Sequence, residues 1–311
     1  MRIVVLGTGA LGSLFAARLA RAGERHVTFA GTWREALDTV TARGLLVEET
    51  GRTWSVPVAT AHRNDSLGPA DVALVLVKSA QTAAVARDAS VALAADGLAV
   101  TLQNGLGNRE VLAAAAGADR VALGVVTLGA TLLGPGHVRA LPGDVVLGAE
   151  PPTRARLERL AALLARAGFA TSVEAPIDRV VWRKLAVNCA INPLTALLHV
   201  PNGGLLAQSE TVETMCRAAR EVGSVASALG IDLGLDPADL AQQVARTTAT
   251  NRSSMLQDVE RAVPTEIEAL CGAVSREGER VGVATPVNAR LWREVRALEA
   301  RGRAATAGTQ C

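Results

Sequence analysis

The chain has 311 residues, 49% of them apolar, with 32 basic side chains against 30 acidic ones and a net charge of +2. That length suits two domains of ordinary size, and the apolar share supplies a core, which excludes intrinsic disorder as the default. Balanced charge, no tyrosine and only three phenylalanines leave no electrostatic or stacking case for nucleic acid. Cys189, Cys216, Cys271 and Cys311 form no CxxC pair, so no metal site or disulfide framework is expected and a cytoplasmic protein fits. The apolar stretch Ile3 to Ala17 is shorter than a membrane span and broken by three glycines, so it reads as folded structure rather than a leader or an anchor.

In chain order, RIVVL at 2–6 is a β-branched run ending at glycine. A helical pattern follows over 11–22, then a second strand, HVTFA, at 26–30. Strand, turn, helix, strand is the βαβ unit of a parallel sheet. VALVLVK at 72–78 and GLAVTL at 97–102 are further strands, the former apolar on both faces and therefore buried. Strands are also expected within 121–132 and 137–149, a helix over 153–167, and a last strand in FATSVE. Beyond Pro176 helical patterns take over, at 178–191, 209–229, 237–249, 263–281 and 286–300, with a frayed tail from Arg301. The expected architecture is an α/β domain with a parallel sheet over 1–174, followed by an all-helical domain over 175–311.

Gly7-Thr8-Gly9-Ala10-Leu11-Gly12 is GxGxxG placed directly between a strand and a helix. In that position the first glycine makes the turn, the second admits a pyrophosphate and the third lets helix and strand pack closely. The bland alternative is a tight turn that binds nothing. The second strand lacks the acidic residue that usually holds the ribose of NAD; the first acid is Glu35. Thr32 and Arg34 are available for a 2′-phosphate, which favours NADPH, although Arg34 also reads as a solvated residue at a helix start.

WRKLAVNCAINPLTAL, from Trp182, carries Lys184, Asn188 and Asn192 at intervals of four among apolar neighbours. Residues so spaced stack on one helical face about 6 Å apart. Pro193 is expected to end or bend the helix at Asn192. A polar line in apolar surroundings must satisfy its hydrogen bonds somewhere, and a polar substrate would do so. NRSSMLQD, from Asn251 through Ser254 to Asp258, is a set of hydroxyls and amides, at least one of them a helix cap. Glu266 follows Pro264 and Thr265, either two turns along or at a fresh helix start. Lys78 and Gln103-Asn104-Gly105 end two strands, where ligands bind in parallel sheets.

Together these residues resemble the ketopantoate reductase (2-dehydropantoate 2-reductase) family. The likeness spans nearly the whole chain: GTGALG, Lys78, Gln103-Asn104-Gly105, the Trp182 segment, Pro201-Asn202-Gly203, NRSSMLQD and Thr265-Glu266-Ile267. It implies a Rossmann-type dinucleotide-binding domain, a helical substrate domain and a cleft between them. It further implies reduction of 2-dehydropantoate to (R)-pantoate by NADPH, on the route to pantothenate and coenzyme A. By the resemblance Lys184 is the general acid and Glu266 its acidic companion. Asn188, Asn192, Asn202, Asn251 and Ser254 hold substrate, while Lys78 and Asn104 lie at the nicotinamide end of the cofactor. One departure concerns the arginine that many members carry immediately after the second strand, where this chain has Gly31. That keeps NADH open as a cofactor. A homodimer is also open, as are two other readings: a reductase of the same build for another 2-keto acid or an imine, and an NADP-binding sensor without catalysis.

Overall fold

The computed structural model describes residues 1–308, with side chains as far as Gly302; Cys311 lies outside the described residues. Two compact units result, one comprising 1–103 and 107–177, the other Asn104–Leu106 and the chain from Asp178 onward. The division falls after Ile177 rather than after 174, and a three-residue segment from within the first half groups with the second unit.

In the first unit the chain runs β1 (Ile3–Leu6), α1 (Ala10–Arg21), β2 (Val27–Gly31), α2 (Arg34–Arg43), β3 (Leu45–Glu49), β4 (Arg52–Val56), β5 (Ala59–His62) and β6 (Ala70–Val75). It continues α3 (Thr82–Ala92), β7 (Leu93–Thr101), α4 (Asn108–Ala116), β8 (Val121–Val126), β9 (Ala130–Gly134), β10 (His137–Ala140), β11 (Asp144–Gly148), α5 (Arg154–Arg166) and β12 (Ala170–Glu174). Eight strands form one sheet in the order β12-β11-β8-β7-β6-β1-β2-β5. The six from β8 to β5 are mutually parallel, and β11 turns antiparallel to β8. Alternation explains why β1 and β6 are apolar throughout. Ile3, Val5, Val72 and Leu74 enter the core with Leu14, Phe15 and Leu19 of α1, while Val4, Leu6, Ala73 and Val75 meet Val85, Ala86 and Ala89 of α3. A second sheet, β4-β3-β10-β9, contributes Leu45, Val47 and Val138 to the α1 side of that core.

The second unit is helical: α6 (Asp178–Leu198), α7 (Ser209–Ala228), α8 (Pro237–Thr247), α9 (Ser254–Glu260), α10 (Ala273–Val281) and α11 (Pro286–Gly308). Helix α6 is the hub, packed by α7, α8, α9 and α11, so apolar side chains line it all round. Contrary to the expected break at Asn192, α6 continues through Pro193 to Leu198. Proline has no N–H to give the carbonyl four residues back, that of Cys189. The Cys271 thiol donates to that carbonyl at 3.8 Å, and Thr195 Oγ1 donates to the carbonyls of Ile191 (3.1 Å) and Asn192 (2.9 Å). Packing on four helices outweighs the local cost of the proline.

The expected helix over 263–281 is also corrected. α9 stops at Glu260, and helix resumes only with a single π-turn, Glu268–Gly272, that leads into α10. The tail expected to fray from Arg301 is helical through Gly308. No helix among the described residues is long and apolar enough to cross a membrane.

Candidate active site

The glycine loop between β1 and α1 is shaped by close approaches. Gly7 has φ +130°, and a Cβ there would stand 2.7 Å from the Leu76 carbonyl carbon. A Cβ on Gly12 would fall 1.8 Å from the Gly7 carbonyl oxygen, so helix and turn touch at that point. Gly9 differs: a Cβ added to it meets nothing within 4 Å. It is the N-cap of α1, with no side-chain capping bond and no acidic residue in the first turn. The backbone at Gly9 is thus open on its Cβ side, as close approach of a dinucleotide pyrophosphate to a helix start requires. Ala10 and Leu11, both partly buried, open the helix.

Gly31, expected immediately after the second strand, is instead the last residue of β2, paired with His62 of β5, and Thr32 is the residue that follows the strand. Thr32 and Arg34 are exposed, and Arg34, the first residue of α2, has no ion-pair partner among the described residues. The nearby Arg63, whose backbone N–H bonds the Gly31 carbonyl at 3.0 Å, is committed to Asp88 at 2.8 Å. Lys78, half-buried, follows β6 at the start of a short 3₁₀ turn over Ser79–Gln81.

Beyond β6 and β7 lies a closed polar network. Gln103 Nε2 donates to the Val77 carbonyl (2.8 Å) and to Thr82 Oγ1 (2.7 Å), and its Oε1 accepts from Thr101 Oγ1 (2.9 Å). Thr82 Oγ1 in turn donates to Asn108 Oδ1 at 2.8 Å. All four side chains are buried.

The next residue, Asn104, belongs to the helical unit. Gly105 has φ +85° and lies so close to the π-turn that a Cβ would stand 2.3 Å from the Ala269 carbonyl oxygen, which Leu106 N–H bonds at 2.9 Å. Anchored so, Asn104 links two charged groups. Lys184 Nζ donates to its Oδ1 at 2.7 Å, and its Nδ2 donates to Glu266 Oε2 at 2.9 Å. Burial lowers the Lys184 pKa from the ordinary lysine value to about 8, against the raising influence of the Glu266 carboxylate. Glu266 is itself buried, and the carboxylate of Glu299 bonds the backbone N–H of the preceding Thr265 at 2.7 Å.

Down α6 from Lys184 come Asn188, half-buried, and Asn192, buried. Neither amide has a hydrogen-bond partner among the described residues, and the same holds for the side chains of Asn251 and Ser254. The cap in NRSSMLQD is Ser253, whose Oγ accepts from Leu256 N–H at 3.0 Å and bonds Thr195 Oγ1 at 2.7 Å, tying the start of α9 to α6. Asn202 is arranged differently. Its Nδ2 donates to Thr248 Oγ1 at 2.8 Å and its backbone N–H bonds the Asn251 carbonyl at 2.9 Å, while its Oδ1 is buried without a partner.

The structure thus gathers Lys184, Asn104 and Glu266 by direct bonds and lines Asn188 and Asn192 along the same helix. The glycine loop, Thr32, Arg34 and Lys78 belong to the other unit. Sequence spacing gave no sign that Asn104 bonds both charged residues, nor that Cys271 serves the carbonyl freed by Pro193. The latter has a local signal, a proline four residues after Cys189 in a buried helix.

Known proteins resemble the chain along its length. Residues 3–152 match ketopantoate reductase PanE/ApbA, and residues 176–299 match its C-terminal counterpart. A 2-dehydropantoate 2-reductase of Halobacterium salinarum is 40% identical over 92% of the chain and 95% of that protein. One from Archaeoglobus fulgidus is 36% identical over 96% and 98%. Among solved structures, a PanE/ApbA family ketopantoate reductase from Ralstonia eutropha JMP134 superposes with a TM-score of 0.89 at 31% identity, covering 97% of this chain and 100% of that one. D-mandelate dehydrogenase with NADH and anilino(oxo)acetate gives 0.91 at 25% identity, covering 97% and 99%. The chain belongs to the ketopantoate reductase family.

Proposed function

We propose that the protein reduces 2-dehydropantoate to (R)-pantoate with NADPH, supplying the route to pantothenate and coenzyme A, with Lys184 as general acid. The observation that carries this reading is a lysine with its pKa lowered to about 8, bonded to Asn104 and standing at the head of an unengaged amide line. The residues of the loop from Gly7 to Gly12 would hold the dinucleotide, which supplies the hydride when bound. Negative charge that develops on the ketone oxygen is met by the Lys184 ammonium, which then gives up its proton. A positioned acid of this kind is worth about a hundred- to ten-thousand-fold in rate. The neutral amides of Asn188, Asn192 and Asn251 and the Ser254 hydroxyl suit the carboxylate and hydroxyl of the substrate without competing for the ammonium. The free thiols of Cys189, Cys216 and Cys271 accord with action in the cytoplasm.

A second reading, reduction of another 2-keto acid with NADH, is favoured by the likeness to D-mandelate dehydrogenase and by Gly31. Loss of dinucleotide absorbance separates the two. NADPH and NADH are each supplied with 2-dehydropantoate, pyruvate, 2-oxoisovalerate or phenylglyoxylate. Oxidation of NADPH by 2-dehydropantoate alone is expected; faster turnover of another keto acid overturns the substrate. Arg34→Ala should weaken NADPH about tenfold more than NADH, the scale of one charge-assisted contact. Equal weakening would remove Arg34 as the 2′-phosphate ligand.

A further inference from the structure

We infer that Thr8 and Gly31 form a coupled pair that determines how the adenosine ribose of the dinucleotide is read, with the Thr8 side chain occupying the volume that a residue at the end of β2 would use. This rests on the dinucleotide reading given above. A Cβ built on Gly31 would stand 2.6 Å from Thr8 Cγ2, 2.9 Å from its Oγ1 and 3.3 Å from its Cβ, and these three Thr8 atoms are its nearest neighbours. The backbone does not demand glycine there, since Gly31 is not among the residues with positive φ. Glycine is set by Thr8 rather than by the turn. Threonine is stiff about its first torsion, so it does not yield as a long side chain would.

Thr8 is half-buried, and its hydroxyl has no hydrogen-bond partner among the described residues. It sits between the loop that fits the pyrophosphate and the end of β2, where dinucleotide folds read the ribose. The hydroxyl of Thr8 therefore stands in for the missing β2 side chain, and Arg34, three residues further on, supplies the nearest uncommitted cation on that segment. A side chain at 31 would meet Thr8 from its Cβ onward.

The test is a double-mutant cycle read by calorimetric titration of NADPH and NADH without substrate. Gly31→Arg alone should weaken both dinucleotides about tenfold, the scale of overpacking in a close contact. In Thr8→Ala/Gly31→Arg that loss should be recovered, and the preference for NADPH over NADH should exceed that of the wild type by about tenfold. Gly31→Ala, a milder probe, should weaken both in the wild-type background and lose most of that effect beside Thr8→Ala. If the effects of the two positions simply multiply, or if Gly31→Arg tightens NADPH with Thr8 in place, the coupling is overturned. Failure of the wild-type protein to bind either dinucleotide is a separate result; it overturns the cofactor reading and the pair together.

Discussion

Gln103 and Asn104 are neighbouring amides with opposite fates. Gln103 joins Thr101, Thr82 and Asn108 in a buried chain of bonds between protein groups. Asn104 holds Lys184 on one side and Glu266 on the other, and the line that continues down α6 through Asn188 and Asn192 has no protein partner among the described residues. Buried polarity is expensive unless it is satisfied, so the two arrangements carry different meanings. A closed network holds strand ends in place. The open line, headed by a lysine of lowered pKa, is the part that the proposed function assigns to substrate.

The strongest way to break that distinction is to delete the head of the open line. Lys184→Ala should reduce turnover by at least about a hundredfold while dinucleotide affinity stays nearly constant, because a general acid acts on the reacting oxygen alone. Steady-state rates with a parallel calorimetric titration check it; unchanged turnover would end the assignment.

The pH profile of the unaltered enzyme comes next. On the proposed mechanism reduction needs the protonated Lys184, whose pKa is lowered to about 8. Turnover should therefore hold below that pH and fall by about tenfold per pH unit above it. A rate that stays flat well above the limb would show that Lys184 does not supply the proton. Glu266→Gln sharpens the point. The carboxylate raises the lysine pKa, so removing its charge should move the falling limb to lower pH and cut turnover at neutral pH by about tenfold. A limb that stays in place would mean that Glu266 does not act through Lys184.

Much of this was legible in the sequence, for identifiable reasons. β1, α1 and β2 declare themselves through β-branched runs and three glycines, and Lys184, Asn188 and Asn192 keep the period of a helix that is really there. β3 and β4 are harder to read because Leu45–Glu49 ends in two acids and Arg52–Val56 has only Trp54 and Val56 half-buried, a pattern too short to mark a strand. Pro193 pointed to a helix end because local propensity favours one; the surrounding helices and the Cys271 thiol are tertiary facts. Asn104 reaches Lys184 across 80 residues and Glu266 across 162, and no spacing rule connects positions so far apart. The coupling of Thr8 to Gly31 is hidden likewise, because it depends on where two loops meet.

The smallest expected effect tests the other side of the comparison. Thr82 Oγ1 both accepts from Gln103 Nε2 and donates to Asn108 Oδ1, so Thr82→Val removes two bonds at once and keeps the volume. Gln103 Nε2 still has the Val77 carbonyl, whereas Asn108 Oδ1 loses the hydroxyl that served it. One buried acceptor deprived of that donor costs about 1–3 kcal/mol, which a thermal melt reads as a Tm lowered by several degrees. The limb near pH 8 should not move, since the network around Thr82 sets no charge on Lys184. If Thr82→Val displaced that limb while stability held, the buried chain of bonds would be part of the proton-transfer apparatus, and the division between architecture and chemistry drawn from the two amides would fail.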